Sequence, residues 1–408
     1  MASNLFLPLL LYICFLSFTT AQTKKHVSTD LFNSLEELSR LVDISYCVGT
    51  TGVQQPFQCL SRCIEFPELE LVTTWNTGVL LSDSCGYIAL SHTPTAKQII
   101  LAFRGTYSLT NAIIDLSAYP QAYIPYPDPD ESTPTTTTPI PAGTHCENCT
   151  VHGGFMRSWL HTRTEIIPAI SVLRQKYPDY AITLVGHSLG GAVAALAGLE
   201  MRLKGWDATV TTFGEPMIGN AAFAAFLDEQ FGFGDGISIP PLEGGRRFRR
   251  VTHIRDPVPM LPLAEWGYRP HSGEIFIMRE ELPPRREDVV YCFGVEDPGC
   301  IAGEGGEGVL VDLYRDLNVP VGLAGSASSG EEGCRSSGSG GGDVSEEQAV
   351  LGRESSDLDI AGCEDKLSPL RWDWSLIPAR YRLWELFYAH RDYFWRIGLC
   401  VPGGDPTG

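Results

Sequence analysis

The stretch ITLVGHSLGGAVAAL, residues 182–196, decides how the rest of the chain is read. Its first residues are an apolar run of the kind that forms a buried strand, and from Gly191 the Ala- and Leu-rich pattern is helical. Between them, Gly186-His187-Ser188-Leu189-Gly190 makes a G-x-S-x-G pentapeptide. A serine on a tight strand-to-helix turn is held in strained backbone geometry with its hydroxyl lifted clear of the sheet, and flanking glycines leave room for that turn. The start of the following helix adds free N–H groups and the positive end of the helix dipole. A glycine-lined turn carrying an inert serine is the structural alternative. The strand before and the helix after supply the context that a nucleophile-bearing turn requires.

A serine hydroxyl is a poor nucleophile until a histidine takes its proton and a carboxylate fixes that histidine's tautomer. The chain after Ser188 should therefore supply an acid at the end of a strand, and then a histidine. Asp256 stands in RDPVP, residues 255–259, directly after a strand read to end at Ile254. Asp207, Asp228 and Asp235 fall at helix ends or in loops, where a solvated or capping aspartate is the ordinary role. Two histidines compete for the base: His271, ahead of a later strand, and His390, in YAHRDYF, residues 388–394. Composition and spacing do not choose between them.

Around this turn the pattern alternates. Helix is expected over 159–176 and 191–203, strand over 181–186, 208–213, 248–254 and 274–278, which signals an α/β sheet with parallel neighbours. Residues 86–91 and 97–103 read as a hairpin, and leucines from Leu31 to Leu41 at helical spacing place a helix over 30–47. A second amphipathic helix is expected over 380–397. Residues 119–150, rich in Pro and Thr, read as an exposed extended loop, and 302–368, dominated by Gly, Ser and Glu, as a disordered insertion. The remaining residues, 22–301 and 369–408, are expected to form one domain.

Leu5 to Phe18 is an uncharged apolar run followed by Thr19-Thr20-Ala21, which reads as a secretory signal peptide over 1–21. The run is shorter than the roughly 20 apolar residues that a spanning helix needs, so no stable membrane anchor is expected. Twelve cysteines, less Cys14 in the leader, leave an odd eleven, scattered in a way that suits disulfides better than zinc. Asn148-Cys149-Thr150 is a glycosylation sequon. The net charge of −19 argues against nucleic acid as a partner, since phosphate binding needs a basic face. The RRFRR cluster, residues 246–250, runs against that balance and reads as an exposed strand edge kept soluble by charge.

The chain resembles the secreted filamentous-fungal lipases of the class 3 lipase family. FRGT (103–106) resembles the family's F-R-G-[ST], VHGGF (151–155) its V-H-x-G-F, and GEPMIGN (214–220) its G-x-P-R-x-G-[DN], with Met217 in place of the usual Arg. DPVPMLP (256–262) resembles D-x-V-P-x-L-P, and HRDYF (390–394) the terminal H-x-x-Y-F. The resemblance implies an α/β-hydrolase fold, with a mixed, mostly parallel central sheet, flanking helices and a short helical lid. It selects His390 over His271, giving a Ser188–His390–Asp256 triad, and assigns the oxyanion hole to Thr106 and Leu189. It matches YSLTNAIIDL (107–116) to the lid, with Tyr107, Leu109, Ala112 and Ile113 as lid and substrate-binding residues and Leu109, Ala112, Ile113 and Ile114 opening onto lipid. It also implies disulfides Cys47–Cys400, Cys59–Cys63 and Cys292–Cys300, and leaves Cys85, Cys146, Cys149, Cys334 and Cys363 without an assigned partner. The implied activity is carboxylic-ester hydrolysis without cofactor or metal, with triacylglycerol presented at an oil–water interface as substrate. Feruloyl esterase and phospholipase A1 use the same scaffold in this family. A non-catalytic secreted binding protein would carry a damaged triad or oxyanion turn.

Overall fold

The computed structural model describes residues 25–78, 84–92, 96–106, 120–124, 145–234, 246–304 and 388–403. The expected leader, the lid residues Tyr107, Leu109, Ala112 and Ile113, Asp235, Cys334, Cys363 and most of the Pro/Thr and Gly/Ser/Glu segments lie outside the described residues. By its contacts the chain divides into residues 1–310 with 382–408, which hold everything described, and residues 311–381.

The strands are β1 (Lys25–His26), β2 (Leu69–Asn76), β3 (Cys85–Ser91), β4 (Gln98–Arg104), β5 (Pro120–Ala122), β6 (Thr150–His152), β7 (Ala181–His187), β8 (Ala208–Phe213), β9 (Gly219–Asn220), β10 (Phe248–His253), β11 (Tyr268–Arg269), β12 (Glu274–Ile277) and β13 (Val289–Tyr291). Among the described residues, nine of them form one sheet in the order β1-β13-β12-β10-β8-β7-β4-β3-β2. The five central strands, β12 to β4, run parallel, and the flanking pairs are antiparallel. Parallel strands covered on both faces read as continuous apolar runs, and β7 is buried from Ile182 to His187. A smaller antiparallel sheet has the order β11-β9-β6-β5. Its β5 and β6 show that the two ends of the expected 119–150 loop are paired strands.

Helix α1 (Thr29–Ser45) begins at Ser28, whose hydroxyl accepts the Leu31 N–H at 3.2 Å, and buries Leu35, Leu38, Leu41, Val42 and Ile44. Helix α2 (Gly153–Lys176) starts six residues before the expected Trp159, because the His152 ring caps it by accepting the Gly154 N–H. Helix α3 (Leu189–Leu203) is buried from Gly190 to Met201, so small residues let it lie close to the sheet. Helix α4 (Ala221–Phe231), β2 and β13 have no counterpart in the sequence reading.

The arginine cluster is a correction. β10 is an interior strand between β8 and β12, not an exposed edge. Parallel register sets Arg250 opposite Glu274, and the two buried side chains pair at 2.9 Å. Glu274 also accepts from the Thr252 hydroxyl at 2.7 Å and from the Ile301 N–H at 3.2 Å. Arg247 pairs with Asp207 outside the sheet, and Arg246 stacks on the Tyr291 ring. Three of the four arginines are thus held by particular partners.

The three disulfides implied by the resemblance are present, and Cys47–Cys400 spans 353 residues of sequence to tie the end of α1 to the C-terminal segment. Cys146–Cys149 is a fourth. The buried Cys85 thiol donates to Asn76 Oδ1. Among the described residues no helix is long and apolar enough to cross a membrane.

Breaking a buried ion pair by removing one partner costs about 3–5 kcal/mol. Glu274→Ala, which leaves Arg250 unpaired, should therefore lower Tm by on the order of 10 °C in scanning calorimetry. A shift under about 2 °C would show that Arg250 finds solvent or another acceptor.

Candidate active site

Ser188 sits between β7 and α3 at φ 56° and ψ −131°, a left-handed backbone that a side chain tolerates poorly. The glycines on either side are required by contact. A Cβ on Gly186 would run into the Gly190 carbonyl, and one on Gly190 would stand 2.5 Å from the carbonyl oxygens of both Phe103 and Arg104. The elbow therefore closes on itself and on the end of β4. Gly105 continues that approach: a Cβ there would lie 2.6 Å from the His187 carbonyl oxygen and 2.8 Å from Ser188 Cβ. This brings the FRGT turn, with the half-buried Thr106, against Ser188. Leu189 is the first residue of α3, where helix N–H groups lack intrahelical acceptors.

Asp256 follows β10 and is fully buried. It is held by the Val258 N–H, which donates to Oδ1 at 2.9 Å, and by the Tyr393 hydroxyl, which donates to Oδ2 at 2.5 Å. His390 Nδ1 lies 3.0 Å from each carboxylate oxygen and donates to them. The proton is thus fixed on Nδ1, and Nε2 is left as the basic nitrogen. Nε2 is buried and has no hydrogen-bond partner among the described residues, so its bond to Ser188 Oγ is not formed in this geometry. Such bonds often tighten only when substrate is bound. The two halves of the site share a floor at the end of β8. Phe213 accepts the Ser188 N–H at 2.9 Å. A Cβ on Gly214, at φ 59°, would stand 2.8 Å from His390 Cε1 and 3.0 Å from Asp256 Oδ2.

His187, the residue before Ser188, braces His390. Its Nε2–H donates to the His390 carbonyl at 2.8 Å, so its Nδ1 accepts the Tyr46 hydroxyl at 2.6 Å. The His187 and His390 rings stack with centroids 4.6 Å apart. Burial first, and the neighbouring His390 second, push the His187 imidazole well below its ordinary range, so it remains a neutral strut. Burial, followed by the charge of Asp256, pushes the Tyr393 phenol well up, which keeps its proton available to that carboxylate.

The structure thus brings together Ser188, Asp256, His390, Leu189 and Thr106, and separates the competitors. His271 is buried against Glu215, with Nε2 2.7 Å from Oε1. Asp228 accepts the Ser272 N–H and hydroxyl from within α4, and Asp207 pairs with Arg202 and Arg247. Asn148, at φ 58°, is exposed between the joined Cys146 and Cys149. Glu274, Cys292 and Cys300 lie together, but the two sulfurs form a disulfide and offer no thiolate to a metal. Sequence reasoning missed Tyr46, His187, Gly214 and Tyr393. His187, Gly214 and Tyr393 lay inside motifs already singled out and Tyr46 at the end of an expected helix, but only the fold shows what they touch.

The lipase (class 3) family model matches residues 100–266. Lipase A of Sodiomyces alcalophilus is 50% identical over 402 residues, covering 95% of this chain and 86% of that protein. Secreted mono- and diacylglycerol lipase 2 of Gibberella zeae is 45% identical over 401 residues, with the same coverage of 95% and 86%. Among solved structures, the nonglycosylated LIP2 lipase of Yarrowia lipolytica superposes with a TM-score of 0.61 at 34% identity, covering 69% of this chain and 91% of that one.

Tyr393→Phe removes one of the hydrogen bonds that hold Asp256. A hydrogen bond to a charged group is worth about 1.5–3 kcal/mol, so turnover of a soluble ester should fall about tenfold or more with little change in KM. Steady-state kinetics on p-nitrophenyl butyrate would check this, and unchanged kcat would mean that Val258 and His390 suffice to orient the carboxylate.

Proposed function

This chain belongs to the class 3 lipase family, and from that premise we propose that it is a secreted serine hydrolase of acylglycerol esters, acting through the Ser188–His390–Asp256 triad. The observation that carries the reading is the Asp256–His390 contact, built on the same β8 floor as the strained Ser188. In the reaction, Ser188 Oγ attacks the ester carbonyl carbon while His390 Nε2 takes its proton. Asp256 holds the imidazolium that forms. The carbonyl oxygen becomes an oxyanion that accepts from the Leu189 N–H and from Thr106, through its N–H and hydroxyl. One such donor is typically worth about 3 kcal/mol of transition-state stabilisation. His390 then returns the proton to the departing glycerol oxygen, leaving an acyl-Ser188 ester. Water, deprotonated by the same nitrogen, releases the fatty acid.

Triacylglycerol is the expected substrate, and Tyr107, Leu109, Ala112 and Ile113 are proposed to form a lid that opens onto lipid. Partial glycerides are the second reading, supported by the name of the Gibberella zeae relative. The same proposal takes residues 1–21 as leader, 22–301 with 369–408 as the catalytic domain and 302–368 as an insertion.

Hydrolysis of tributyrin by the purified mature protein, below and above its solubility limit, tests this directly. The rate should rise as droplets form and fall by more than about 10⁴-fold in Ser188→Ala. A saturating rate without the rise, still lost in the mutant, would mean an esterase of dissolved substrates. Activity that survives in Ser188→Ala would contradict the triad. Triolein and diolein assayed in parallel separate the two glyceride readings.

A further inference from the structure

Asp43 is a fully buried carboxylate on the last turn of α1 that none of the steps above uses. Its Oδ1 accepts the backbone N–H of Gly398 at 2.9 Å, and its Oδ2 accepts the Ser61 hydroxyl at 2.9 Å. Arg62 Nε stands 3.8 Å from Oδ2. Gly398 is the returning end of the loop that leaves His390. Within that loop Arg391 Nε donates to the Ile397 carbonyl at 2.6 Å, the Ile397 N–H returns to the Arg391 carbonyl at 2.9 Å, and Arg396 pairs with Asp392. Arg391 follows His390 directly and is itself buried. One carboxylate therefore ties the far end of the His390 loop to α1 and lies in the field of two buried guanidiniums, Arg62 and Arg391.

The electrostatics point the same way. Burial raises Asp43 to about 6, while Gly398, Ser61, Arg62 and Arg391 pull it back down. Tyr87, the remaining ionisable neighbour, donates to the Leu41 carbonyl and is held protonated by burial and by the charge of Asp43. Because the folded value lies above the ordinary 3.8, the ionised group costs stability above about pH 6, and that cost is relieved as pH falls through 6 towards 4.

We propose that Asp43 is a positioning residue for ester hydrolysis, clamping the loop from His390 to Gly398 onto α1 and offsetting Arg391 so that the imidazole keeps its line to Ser188. The inference rests on the reading of His390 as the base. Without the clamp, the Gly398 N–H and the Ser61 hydroxyl lose their acceptor, and Arg391 and Arg62, the latter also paired with Glu65 at 3.1 Å, lose a nearby negative charge. The loop relaxes, and a displacement of about 1 Å in a catalytic group is enough to cost on the order of 10²-fold in rate.

The test compares wild type, Asp43→Asn and Asp43→Ala. Asn keeps the volume and an acceptor for Gly398 but not the charge; Ala keeps neither. The readouts are kcat and KM on p-nitrophenyl butyrate from pH 5 to 8, normalised to the sites titrated by a phosphonate ester. Asp43→Ala should lower kcat per titrated site by about 10–100-fold, with KM within about twofold of wild type. Asp43→Asn should fall between the two. The wild-type to Asp43→Asn ratio of kcat/KM should be largest at pH 8 and approach one below about pH 6, where wild-type Asp43 takes up its proton. A ratio that is flat across this range, or normal kcat per site in both variants with only a lowered Tm, would overturn the proposal. If Asp43→Ala does not fold, the Asp43→Asn ratio decides. Wild-type protein that takes no phosphonate on Ser188 overturns the triad and this inference together, whereas normal labelling with a flat ratio overturns only the role of Asp43.

Discussion

Gly190 lets the first turn of α3 come within contact of the Phe103 and Arg104 carbonyl oxygens, and the site is assembled on that approach. Neither side could retreat. β4 is fixed by parallel pairing with β7 along six registered residues, and α3 is buried over most of its length against β7 and β8. The elbow is held from both directions, so Ser188 can persist at a positive φ that would relax in an isolated turn. Because β4 ends there, the FRGT turn is carried to the serine as well. One close packing therefore delivers the candidate nucleophile and both candidate oxyanion donors.

The candidate base arrives from the far end of the chain and needs its own restraints. His390 is held by Asp256 on its ring and by His187 on its carbonyl, and Tyr46 completes the chain from α1. The Cys47–Cys400 bond begins one residue beyond Tyr46. α1 and the two residues after it thus contribute the Asp43 carboxylate and a disulfide to a segment more than 340 residues away in sequence, and a tyrosine that reaches it through His187. Elements distant in sequence share one small volume of polar interior, where each removed partner leaves another group unsatisfied.

The central α/β alternation was legible because parallel strands are long apolar runs and the helices between them repeat at 3.6 residues. Position relative to strand ends made Ser188 and Asp256 candidates. Composition and spacing could not separate His390 from His271 as candidate base; the resemblance to the lipases chose His390, and the structure sets His271 against Glu215 and His390 against Asp256. β2 was missed although Leu69, Leu71 and Trp75 mark its buried positions, because threonines and a register shift after Leu71 blur the alternation. RRFRR was misread because pairing across parallel strands is not visible in one strand alone. Glu274 lies 24 residues away from Arg250, and only register makes them partners.

Covalent labelling with diethyl p-nitrophenyl phosphate, followed by peptide mapping, reaches the centre of the account most directly. It should be run on wild type, His390→Ala and His271→Ala. A single adduct on Ser188 is expected, formed at wild-type speed in His271→Ala and at least about 10³-fold more slowly in His390→Ala. An adduct on another residue, or labelling that depends on His271 and not on His390, would contradict it.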